Sequence, residues 1–124
     1  MRRNAMPVFR TRRALGASAA VLLLLAACGK KAEYPPEVQR ATYSSCLQGF
    51  KAKAPATIPA TTVDAKSKGY CQCVLDGLQS KVPEKDFLRY DQLLATQASG
   101  PEADKLRDQV MGVVNVCLQR MPDF

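Results

Sequence analysis

The stretch Lys68–Leu78, KGYCQCVLDGL, decides the fold. Each residue of an α-helix turns the chain by about 100°, so cysteines two apart point about 200° away from each other. A disulfide needs close, facing Cβ atoms. In a helix, therefore, Cys71 and Cys73 do not bond to one another, and each reaches a different partner. Cys46 and Cys117 are the partners at hand. Both remaining pairings staple the helix that carries Cys71 and Cys73 to the helix before it and to the last helix of the chain. The stripe angles favour Cys71–Cys117 with Cys46–Cys73. Cys71 shares a face with Val74, Leu75 and Leu78, and Cys117 sits in the middle of its own apolar stripe, so two core-facing sulfurs are expected to meet.

The helical reading extends in both directions. From Glu37 to about Lys53, Val38, Thr42, Cys46 and Phe50 recur every four positions, with Tyr43 and Leu47 alongside. That spacing is one face of a helix. The segment APATIPAT (54–61) is a loop, because Pro55 and Pro59 do not fit inside a continuous helix. Thr61-x-x-Asp64 resembles a capping box that opens the second helix, whose stripe is Val63, Ser67, Tyr70, Cys71, Val74, Leu75 and Leu78. Gly69 and Gly77 each weaken it by about 1 kcal/mol relative to alanine, so packing or a crosslink is expected to support it. Pro83 ends it and begins a third helix, running to about Thr96 with Phe87, Leu88, Tyr90, Leu93 and Leu94. Ser99-x-x-Glu102 is a second capping-box pattern. After it, Leu106, Val110, Val113, Val114, Cys117 and Met121 define the fourth helix, which Pro122 ends. No strand-like alternation appears. The fold class is all-α, a small four-helix domain stapled by two disulfides.

The N-terminus has another character. Arg2, Arg3, Arg10, Arg12 and Arg13 precede an apolar run, Ala14–Ala27, that is interrupted only by Ser18 among polar residues. The run is shorter than the roughly 20 apolar residues of a spanning helix, and a basic segment before a short apolar one is a secretory signal. Leu25-Ala26-Ala27-Cys28 resembles the lipobox of bacterial lipoproteins. The resemblance implies that 1–27 is a cleaved signal peptide and that Cys28 becomes the first mature residue and carries a covalent lipid. It further implies a membrane anchor. Gly29 stands where Asp would retain such a protein in the inner membrane, so the expected location is the periplasmic face of the outer membrane. Thr11-Arg12-Arg13-Ala14-Leu15 is similar to a twin-arginine export motif, which leaves the export route open. Residues 28–36 read as a tether ending in Tyr34-Pro35-Pro36, and 37–124 as the helical domain.

Removing the leader changes the charge. The chain has 18 basic and 11 acidic residues; five of the former and none of the latter lie in 1–27, so the mature part carries +2. Nucleic-acid binding wants a strongly basic face, and this composition argues against it. There is no His, the commonest general base and metal ligand. Five cysteines are an odd set, and lipidation of Cys28 leaves an even four for an oxidising compartment. No nucleophile elbow, phosphate loop or zinc-protease motif is present. The expected function is a non-enzymatic protein-binding or scaffold role in the envelope, of the immunity or secretion-accessory kind. Its expected partners are the membrane and another envelope protein, with no cofactor beyond the lipid on Cys28 and no small-molecule substrate. The alternative is a thiol redox or copper- or zinc-handling role for Cys71-x-Cys73.

Overall fold

In a computed structural model, residues 33–121 are described. The expected signal peptide, Cys28 and the first part of the tether lie outside them. Four helices follow one another: α1 (Pro36–Lys53), α2 (Ala60–Lys81), α3 (Glu84–Ala95) and α4 (Pro101–Arg120). No strand occurs among the described residues.

Proline sets most helix starts. Pro35, Pro59 and Pro83 each occupy the N-cap, with φ between −50° and −56° and extended ψ. Their carbonyls accept the first helical bonds, as Pro59 does from the amides of Thr62 and Val63. Among the described residues no helix has a side-chain cap, which corrects both capping-box readings. Thr61 lies inside α2. Asp64 is drawn instead to Lys51 of α1 (2.8 Å) and to Lys68 (2.7 Å), which hold its carboxyl down at about 2. At α4 the N-cap is Gly100, not Ser99. Its φ of +125° suits glycine, and Glu102 turns away to make a two-pronged bond with Arg89 of α3.

The helices pack in a defined order. α2 is central, with α1 on one flank and α4 on the other, while α3 packs on α4. Cys73 of α2 meets Cys117 of α4, Gly77 meets Val113, and Arg89 of α3 meets Glu102. Partners therefore descend along α4 as α2 and then α3 ascend. α2 runs antiparallel to α4, and α3 packs on an earlier part of the same helix. Gly77 makes the α2–α4 contact close, since a Cβ there would stand 2.5 Å from Val113 Cγ1. The glycine that lowers helix propensity is required by the packing.

The core cluster comprises Tyr34, Val74, Leu78, Val82, Val113 and Cys117. α1 contributes no fully buried residue. Its predicted stripe of Val38, Thr42, Cys46 and Phe50 is half-buried against α2, so a covalent bridge supplements a modest contact. Tyr34 is the unexpected member. It is 2% exposed, so the folded domain begins within the expected tether.

Candidate functional site

All four cysteines of the domain are bonded, Cys46 to Cys71 and Cys73 to Cys117. The expectation that Cys71 and Cys73 take different helices as partners holds. The favoured pairing, Cys71–Cys117 with Cys46–Cys73, is corrected to the other cross-helix option. The cause lies in the rows of α2. Cys73 is one turn before Gly77, and Cys117 is one turn after Val113. The close Gly77–Val113 approach therefore brings this row of α2 onto α4 and sets Cys73 opposite Cys117. Cys71 points to the other flank, where α1 lies. Facing the core, taken alone, did not distinguish the two neighbours of a central helix.

Sulfur access is limited. Cys71 is 1% and Cys117 3% exposed, and their partners are half-buried. Among the described residues no group of three or more His, Cys, Asp or Glu side chains could hold a metal ion. Met111 of α4 is 40% exposed. Asp91 is exposed, and Asp86 lies near Tyr34.

Tyr34 builds the second notable constellation. Its amide N–H donates to Gln79 Oε1 (2.9 Å), and its carbonyl accepts from Gln39 Nε2 (2.6 Å). Its hydroxyl donates to the Val82 carbonyl (2.8 Å), and its ring stacks on Phe87 with centroids 5.4 Å apart. Burial, with Glu84 and Asp86 nearby, pushes the phenol up to about 12. This clasp fastens the incoming chain where α2 gives way to α3. The sequence signal was an aromatic residue directly before Pro-Pro, which holds the entry extended.

Comparison with known proteins gives no relative. No protein-family model, curated protein or solved structure matches the chain. Its chemistry therefore rests on its own geometry.

Two surface depressions lie on either side of the Cys73–Cys117 bridge. The larger, about 880 Å³, runs between α2 and α4. Its charged lining is mixed, with Asp76 and Asp108 against Lys81 and Arg120, and the buried Oε1 of Gln109 beside it has no hydrogen-bond partner. The other is a furrow of two hollows, about 470 and 420 Å³, with Tyr70 common to both. Phe50, Val114, Leu118 and Met121 give it an apolar lining. Phe50 and Tyr70 meet at 5.4 Å between ring centroids, tilted by 42°.

Proposed function

We propose that this protein is a lipid-anchored envelope protein, held at the periplasmic face of the outer membrane through Cys28, whose helical domain binds another envelope protein without catalysing a reaction. The observation that carries the reading is the allocation of the cysteines. Each member of the Cys71-x-Cys73 pair is tied to a separate helix, and Cys71 is buried. A dithiol centre needs an accessible thiol of lowered pKa, and a metal clamp needs free thiolates. Disulfides in this arrangement serve shape, and a small domain of fixed shape suits recognition.

Two measurements test the reading. Metabolic labelling with a radioactive fatty acid is expected to mark the wild type and to be lost in Cys28→Ser; equal label in both removes the anchor. The purified protein, kept free of reductant, is expected to show no reactive thiol, no stoichiometric copper or zinc, and no insulin reduction. Substantial reductase activity, or one bound metal per chain, transfers the reading to thiol or metal chemistry.

A further inference from the structure

The furrow over Tyr70 has properties that the fold leaves unexplained. Lys53 lines one hollow, and Lys66 and Arg120 line the other; among the described residues no Asp or Glu lines either. Neither Lys53 nor Arg120 is ion-paired among the described residues. The larger depression, by contrast, has both signs of charge. One wall of the furrow continues onto an apolar stripe of α4, Met111, Val114 and Leu118, in which Met111 is 40% and Leu118 45% exposed. These positions are spaced i, i+3 and i+7, a single helix face, and the fold does not bury it.

The glycines supply a second, independent observation. Gly49 lines one hollow and Gly69 the other. Both sit inside helices, where glycine is unfavourable by about 1 kcal/mol. Unlike Gly77, neither is demanded by packing: a Cβ at either meets nothing within 4 Å. They leave the floor open to the approach of another backbone.

We propose that this furrow receives an amphipathic helix of a partner protein, its apolar stripe laid along Tyr70 and Leu118 and its flanks carrying carboxylates toward Lys53 and Arg120. Helix-in-groove docking uses apolar anchors at helical spacing, and rim charges select the partner by sign. The concavity favours a protein over a bilayer: the two hollows, about 470 and 420 Å³, suit a helix laid in a groove, whereas a flat lipid surface does not fill them. The proposal rests on the reading of the domain as a protein-binding module.

The test uses the full-length lipidated protein in neutral phosphatidylcholine nanodiscs. A photo-crosslinking residue is placed at Leu118 or, as control, at the more exposed Leu94 of α3, 57% against 45% for Leu118. The probe is a synthetic amphipathic helical peptide with a leucine stripe and glutamate flanks, and its isomer carries lysine flanks. The glutamate peptide is expected to crosslink from 118 about tenfold better than the lysine isomer and better than from 94. Lys53→Glu with Arg120→Glu is expected to reverse that preference, and Gly49→Leu, a good helix former that fills the floor, to reduce capture while the domain stays folded. Equal capture from both positions, indifference to flank charge, or no capture overturns the furrow assignment. Preferential capture at Leu94 overturns it too, while leaving a binding module in place. That broader reading falls separately, on the thiol and metal measurements above.

Discussion

Glycine-to-alanine substitution separates packing from propensity within a single helix. At Gly77 the added Cβ would stand 2.5 Å from Val113 Cγ1, well inside contact distance. Overpacking of this kind costs about 1–3 kcal/mol, and the gain in helix propensity returns about 1 kcal/mol. Gly77→Ala is thus expected to destabilise by up to about 2 kcal/mol. Gly69→Ala, eight residues earlier, meets nothing within 4 Å, so the propensity gain of about 1 kcal/mol stands alone and the variant is expected to be more stable. Urea denaturation followed by circular dichroism measures both. The clash has a named partner, which permits a sharper check. Val113→Ala alone is expected to lose stability by truncating a buried side chain. In the double variant Gly77→Ala/Val113→Ala the clash disappears, and a favourable coupling of about 1–3 kcal/mol should emerge from the double-mutant cycle. If Gly77→Ala and Gly69→Ala shift the midpoint in the same direction by similar amounts, or if the cycle shows no coupling, the close α2–α4 approach is not what positions these helices.

Three further outcomes follow from the same geometry. The disulfides close loops with sequence separations of 25 and 44, so chain entropy assigns them about 3.5 and 4 kcal/mol, and reductant should lower the melting temperature sharply or unfold the domain. Cys46→Ala/Cys71→Ala should release α1 first, detected as early amide exchange over 36–53, because that helix has no fully buried residue. Tyr34 titrates at about 12, above its ordinary value of 10, so the fold favours the neutral phenol. Its contribution is complete below pH 10 and is lost as pH rises toward 12. An alkaline melting series should show that loss in the wild type and a smaller one in Tyr34→Phe, which should also be less stable at neutral pH by about 1–3 kcal/mol because the buried Val82 carbonyl loses its donor.

Helix count, helix type and the obligation of Cys71 and Cys73 to leave in different directions were legible in the sequence, since all three depend on a period of 3.6 residues and on local geometry. The choice of partner was not read correctly. It depends on which flank of α2 each neighbouring helix takes, a tertiary property signalled only by Gly77 one turn from Cys73 and Val113 one turn from Cys117. The capping boxes failed for a related reason: Asp64 and Glu102 had the right spacing, but cations on neighbouring helices compete for their carboxylates. Tyr34 was missed because no periodic pattern reaches a residue outside a helix, and its burial comes from an α2–α3 junction nearly fifty positions away in the chain. The furrow was equally invisible, because it is assembled from α1, α2 and α4.

The connectivity also has a temporal meaning. The bonded pairs are consecutive along the chain, with the first loop closed before the second begins: Cys46 with Cys71, then Cys73 with Cys117. A polypeptide delivered N-terminus first into an oxidising space meets its cysteines in that order. On the proposed reading, with Cys28 lipidated and the chain exported unfolded, each remaining thiol finds its native mate as the next available one, and no earlier bond has to be broken for a later one to form. Oxidative folding on that route needs an electron acceptor but no disulfide shuffling, and its yield is expected to be indifferent to loss of a disulfide isomerase.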